Sequence, residues 1–107
     1  MERICEMIKL RDEDRESYLK LHKKIWPEIA ALIRDCNIRN YSIFERKGML
    51  FAYYEYIGDN FEADIKKMED NPVNQKWWAV CKPCQRPLDD RQPGEWWARA
   101  QEIWHQD

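Results

Sequence analysis

The chain has 107 residues, enough for one two-layer core and too few for two ordinary domains, so residues 1–107 are read as one domain. Hydrophobic residues at 44% and aromatics at 13% exclude a disordered chain, and 18 basic against 20 acidic residues argue against a nucleic-acid partner. No apolar run approaches the roughly 18 residues that span a bilayer. The opening Met1–Ser17 lacks a signal peptide's apolar stretch, so a cytoplasmic protein without a membrane partner is expected.

Residues 2–9 alternate, with Ile4 and Ile8 on one face and Cys5 and Met7 on the other, which predicts a strand. Asp12, Glu13 and Asp14 suit a helix start, where carboxylates complement the dipole. A helical stripe follows: Tyr18, Leu21, His22 and Ile25, then Ile29, Leu32, Ile33 and Cys36. Pro27 cannot sit inside a continuous helix, so a break is expected near Lys24–Trp26, with Pro27 opening a second segment. His22 then falls in the last turn of the first segment, where the negative dipole end favours an imidazolium.

Ile38–Arg46 and Met49–Ile57 read as two strands of a hairpin around Arg46-Lys47-Gly48, with Tyr41 and Ile43 sharing a face. A short helix is predicted over Phe61–Met68. Asn71-Pro72 restarts the chain into another helix, carrying Val73, Trp77 and Trp78. Pro83, Pro87 and Pro93 mark an irregular excursion; Glu95-Trp96-Trp97 reads as a helical turn and Glu102–His105 as the last strand. Strand, helix, strand, strand, helix, strand is the ferredoxin-like split βαβ pattern, an α+β sandwich of the dimeric α+β barrel type. One sheet face is covered by helices. The other, with its aromatics, needs a partner's cover or forms a pocket.

The isolated glycines Gly48, Gly58 and Gly94 assemble no phosphate loop and no dinucleotide fingerprint. Cys81 and Cys84 have C-x-x-C spacing, but no second pair completes a zinc site and the motif ends a helix rather than opening one. They are read as structural, and neither metal nor cofactor is expected.

Three runs resemble a known family: Tyr18 through Glu28 in the spacing Y-x-x-x-H-x-x-x-W-P-E, Asn40–Phe44, and Asn74–Trp78. Together they are similar to the L-rhamnose mutarotase family, over nearly the whole chain. Cys81–Pro93 and the tail Trp104–Asp107 depart from the best-known bacterial pattern, which leaves the exact 6-deoxy sugar open. The resemblance implies a cofactor-free isomerase exchanging the α and β anomers of L-rhamnose or a related monosaccharide. It implies a ferredoxin-like fold and a homodimer paired through its sheets. By motif, His22 matches the proton-donor position, and Tyr18, Tyr41, Trp77 and Trp78 match the sugar-contacting positions.

The chemistry suits those residues. Mutarotation moves a proton off the anomeric hydroxyl and onto the ring oxygen, and an imidazole with a reference pKa of about 6.5 can do both near neutrality. Tyrosine hydroxyls and tryptophan rings offer directed donors beside flat apolar surfaces for a sugar's C–H faces and methyl group. Tyr18 and His22, four apart, share a helix face. On pattern alone each has a plainer reading: His22 as a helix-end cap, Tyr18, Tyr41 and one of the two tryptophans as core. Trp26, Trp96 and Trp97 are read first as packing or dimer contacts, and His105 as structural. The competing functions are a non-catalytic sugar-binding module and a monooxygenase-like enzyme on the same fold.

Overall fold

Strand β1 (Glu2–Leu10) sets the two sides of the molecule: Ile4, Ile8 and Leu10 are buried on one face, while Cys5 is exposed on the other. The computed structural model describes residues 1–107 throughout. A 3₁₀ turn at Asp12–Asp14 leads into α1 (Arg15–Lys23), and α2 (Pro27–Asp35) follows after the expected break at residues 24–26. Pro27 occupies the first turn of α2, where its missing N–H costs nothing.

Strands β2 (Ile38–Arg46) and β3 (Met49–Tyr56) form the hairpin, joined through Lys47 and Gly48 at φ 48° and 82°. Two successive positive φ values fit the type I′ turn that matches strand twist, which is why glycine serves there. α3 (Phe61–Asp70) is capped by the Asn60 side chain on the Ala63 N–H, and α4 (Pro72–Cys81) by the Asn71 side chain on the Val73 and Asn74 N–H groups. Such caps satisfy helix-end donors that have no intrahelical partner.

The sheet runs β2–β3–β1, all antiparallel, and its fourth position is divided. Strand β4 (Gln85–Arg86) pairs with Lys9 and Leu10, while β5 (Ala98–Ala100) pairs with Cys5–Met7 of the same strand. The 11-residue excursion between them carries Pro87 and Pro93, while Pro83 lies in a 3₁₀ turn (Lys82–Cys84) before β4. This order, with both helix pairs on one face, is the ferredoxin-like split βαβ fold expected from the sequence. No helix is long and apolar enough to cross a membrane.

Two expected elements need correction. The last strand lies at Ala98–Ala100, not Glu102–His105. Continuing the β5 register would set Ile103 opposite Glu2 and Trp104 opposite Met1, where β1 ends, so their β propensity finds no partner and both are exposed. Glu95-Trp96-Trp97 is not helical: the Pro93-Gly94 turn, with Gly94 at φ 85°, leads it into bends. A cavity opens on the helix-covered face, which leaves a partner's cover as the reading for the bare one.

That cavity divides the core. The larger cluster joins Ile8, Leu10, Tyr18, Ile29, Leu50, Trp77, Cys81 and Cys84; the smaller joins Ile4, Ile38, Tyr54 and Tyr56. Cys81 and Cys84 are buried free thiols, and burial pushes the Cys81 thiol up to about 12. A thiol so held stays protonated and packs as a small apolar side chain.

Candidate active site

A cavity of about 550 Å³ lies between the sheet and the helices, within the range of small-molecule sites. Its floor is the inner sheet face, where Ile43, Ala52, Glu6 and Arg99 occupy successive strands in register. α1 contributes Tyr18 and His22 to the wall, α4 contributes Trp77, Trp78 and Cys81, and the excursion contributes Trp96 and Trp97.

Tyr41 reaches the cavity because β2 is irregular. Arg39 pairs with Glu55 and Ser42 with Tyr53, so Asn40 and Tyr41 together face the single residue Tyr54. This β-bulge lets Ile38, Tyr41 and Ile43 all point inward, which strict alternation forbids. Asn40 absorbs the distortion at φ 51°, a conformation asparagine tolerates better than most residues, and its side-chain N–H₂ donates to Glu55 Oε1 at 2.6 Å. The Tyr41 ring lies 5.1 Å from that of Tyr54. Tyr41 as a whole is 39% exposed, but desolvation where its side chain enters the cavity, then the charge of Glu6, raise its phenol above the usual value, so it stays a hydrogen-bond donor.

His22 is held from one side. Its Nδ1 lies 2.9 Å from the Tyr18 backbone carbonyl, which can only accept, so Nδ1 carries the hydrogen and Nε2 is left as the basic nitrogen of the neutral ring. Nε2 makes no hydrogen bond within the protein. The imidazole stacks on the Tyr18 ring at 4.1 Å and meets Trp77 at 5.4 Å, while Trp26 packs edge-on against the far side of Trp77 at 5.0 Å. The expected imidazolium is corrected here. Burial among these rings lowers the His22 pKa below 6.5, outweighing the hydrogen bond to the Tyr18 carbonyl that favours the charged form.

All five residues singled out from the sequence line this one cavity. They do so in different ways: Tyr18 and Trp77 are core residues with an edge on the cavity, whereas Trp78 is half-buried at its rim beneath the Lys82 ammonium, 4.7 Å from the ring centre. Several lining residues went unnoticed in the sequence. Glu6 interrupts the apolar row Ile4–Ile8–Leu10, a visible signal, and its carboxyl is raised by burial against the opposing effects of Tyr54 and Arg99. Trp96, read as packing, lines the cavity and donates its indole N–H to Gln85. Gln85 carried no pattern at all.

The arrangement offers one neutral imidazole with an open basic nitrogen, several phenol donors and flat indole surfaces. That set can bind a small polyhydroxylated molecule with an apolar face and move a proton between two of its oxygens.

Comparison with known proteins agrees. A family model described as L-rhamnose mutarotase matches residues 3–106. The chain is 36% identical to an L-rhamnose mutarotase of Bacillus subtilis, over 87% of this chain and 88% of that one. It is 35% identical to one of Oceanobacillus iheyensis, over 89% and 88%. The crystal structure of an L-rhamnose mutarotase from Formosa agariphila superposes with a TM-score of 0.78 at 25% identity, covering 100% of both chains. A tetracenomycin F2 cyclase from Streptomyces glaucescens, at 12% identity, 100% and 98% coverage and a TM-score of 0.74, shares the fold alone.

Proposed function

The chain belongs to the L-rhamnose mutarotase family, and from that membership we propose that its cavity binds L-rhamnose and that His22 moves the proton exchanging the α and β anomers. The observation that carries this reading is the His22 ring itself: neutral, fixed through Nδ1, with Nε2 unengaged by the protein and aromatic walls around it.

His22 Nε2 takes the proton from the anomeric hydroxyl of the closed ring. The C1–O5 bond then breaks, its electron pair going to O5, while C1 and O1 form the aldehyde carbonyl. The imidazolium gives its proton to O5, and the atoms balance without metal or cofactor. Rotation about C1–C2 presents the other carbonyl face, and the reverse steps close the ring on the opposite anomer. O1 and O5 share one carbon, so a single imidazole can serve both. A low pKa suits the second step, because it makes the imidazolium a stronger acid. Hydrogen bonds from Tyr18 and Tyr41 stabilise whichever oxygen carries negative charge. Trp77 and Trp78 cover the sugar's C–H faces.

The test is NMR exchange between the α and β anomeric protons of L-rhamnose, with L-fucose and D-glucose alongside. His22→Ala should lose about 10²–10⁴-fold in exchange while still binding sugar. Wild-type exchange in that variant would remove His22 from the mechanism, and no acceleration for any sugar would overturn the function.

We further propose a homodimer through the outer sheet face. Phe44, Phe51, Met7 and Ala98 form a continuous apolar row across four strands there, and Phe44 is 56% exposed. Sedimentation should give twice the chain mass, and Phe44→Glu should yield monomers; a wild-type monomer at high concentration would refute the pairing.

A further inference from the structure

Tyr18 is 2% exposed, and its hydroxyl belongs to a chain of hydrogen bonds whose direction is fixed from its far end. The Trp96 indole N–H can only donate, and it donates to Gln85 Oε1 at 2.7 Å. That settles which end of the Gln85 amide is oxygen. The amide nitrogen therefore faces Tyr18 and donates to its hydroxyl oxygen at 3.0 Å. Tyr18, receiving a hydrogen bond on its oxygen, keeps its own proton for another acceptor, and no protein group takes it. Burial also holds the phenol well above its usual pKa, so the proton is shared rather than lost.

We propose that Gln85 is a positioning residue of the mutarotase site: anchored by Trp96, it commits the Tyr18 hydroxyl to donating its proton to an oxygen of the bound sugar. The proposal rests on the reading of the cavity as a mutarotase site. Gln85 does not touch the reacting atoms. It acts by occupying the phenol's acceptor side, which leaves the donor side for the oxygen on which charge develops.

The placement of these residues suits that role. Gln85 sits in β4 opposite Leu10 and shares its inward face, so its backbone is fixed by the sheet while its side chain is buried. Trp96 comes from the excursion between β4 and β5, which also bears on Lys82, 5.6 Å above the Trp96 ring. The excursion thus reports its position to Tyr18 through two hydrogen bonds. A sequence segment read as irregular becomes part of the site.

Two substitutions separate orientation from packing. Gln85→Glu keeps an acceptor for the Trp96 N–H but offers Tyr18 only acceptors, so the Tyr18 proton turns away from the sugar. Gln85→Met has similar volume and loses both hydrogen bonds, but it leaves the Tyr18 hydroxyl free to rotate toward the sugar. The expected result is a roughly tenfold loss of kcat for Gln85→Glu, with a smaller change in KM and a smaller loss of kcat for Gln85→Met. In a Tyr18→Phe background neither substitution should lower kcat further, because the group they act through is gone. A cooperative thermal transition well above the assay temperature and retained tryptophan fluorescence verify that each variant is folded.

A purely structural role makes the losses of kcat follow the losses of stability, the buried carboxylate of Gln85→Glu included, and lets them persist without the Tyr18 hydroxyl. Unaltered kcat in Gln85→Glu, a loss at least as large in Gln85→Met, or a full Gln85→Glu loss persisting in Tyr18→Phe would overturn the proposal while leaving the mutarotase reading intact. Absence of anomer exchange in the wild-type protein would instead overturn the function, and the role of Gln85 with it.

Discussion

The bulge at Asn40 ties one backbone dihedral to the position of Tyr41, a proposed sugar contact, and substitution there should separate the two contributions. A residue with a β-carbon at φ 51° loses about 1–2 kcal/mol to the clash with the following carbonyl, and asparagine escapes much of it. The Asn40 hydrogen bond to Glu55 lies at the surface and adds about 0.5–1 kcal/mol. Asn40→Ala removes both and should cost about 2 kcal/mol, on the order of 10 °C in Tm for a domain of this size. Asn40→Gly loses the hydrogen bond but adopts the same φ without strain, so it should cost only about 1 kcal/mol. Thermal unfolding of the two variants in parallel gives the comparison. KM for L-rhamnose should rise more in the alanine variant, because relaxing the bulge turns Tyr41 away from its place against Tyr54. A glycine variant as unstable as the alanine one would refute the dihedral argument.

The pH profile of kcat/KM should rise with pH to a plateau by neutrality, with its midpoint below 6.5, because the proposed mechanism has the neutral form of His22 take the first proton. A midpoint above 6.5 would contradict the dominance of burial. The same depression makes the folded state bind fewer protons than the unfolded one, so His22 contributes stability above pH 6.5 that is lost on acidification through its folded pKa. Comparing Tm against pH for wild type and His22→Ala reads that term directly. The two adjacent tryptophans should also behave differently. Trp77→Ala opens the core and should cost about 3–5 kcal/mol in denaturant unfolding, whereas Trp78→Ala at the rim should mainly raise KM. Equal destabilisation by the two would contradict their placement.

The regular parts of this fold were legible because local rules act strongly on them. Pro27 and the Asn71-Pro72 pair set helix starts with little freedom, Lys47-Gly48 set the hairpin, and alternation placed Ile4 and Ile8 inside. Tyr18 and His22 came together because positions four apart share a helix face. What escaped was whatever depends on contacts far apart in sequence. Gln85 meets Tyr18 across 67 residues, and no spacing rule announces that pairing. The charge state of His22 was misjudged for the same reason: the helix end is a local feature, whereas the rings that desolvate it come from other parts of the chain. The true last strand was missed because Ile103 and Trp104 carry more β propensity than Ala98 and Ala100, yet only the alanines lie alongside β1.

The cavity also explains why polar side chains are set so deep in so small a protein. A chain of this length has little apolar core to spare, and opening a space between sheet and helices divides what it has. Packed aromatic rings line that space instead: Trp26 on Trp77, Trp77 on His22 and His22 on Tyr18 form a continuous wall from the break before α2 through α4 to α1. Each polar atom in that wall is then either bound to a neighbour, as Nδ1 and the Gln85 amide are, or open to the cavity. The open ones are not scattered. The His22 Nε2 and the Tyr18 hydroxyl are a basic nitrogen and a hydrogen-bond donor on adjacent turns of one helix, their rings stacked. In the proposed mechanism the nitrogen moves the proton between the two oxygens of the hemiacetal, and the donor stabilises whichever of them carries charge.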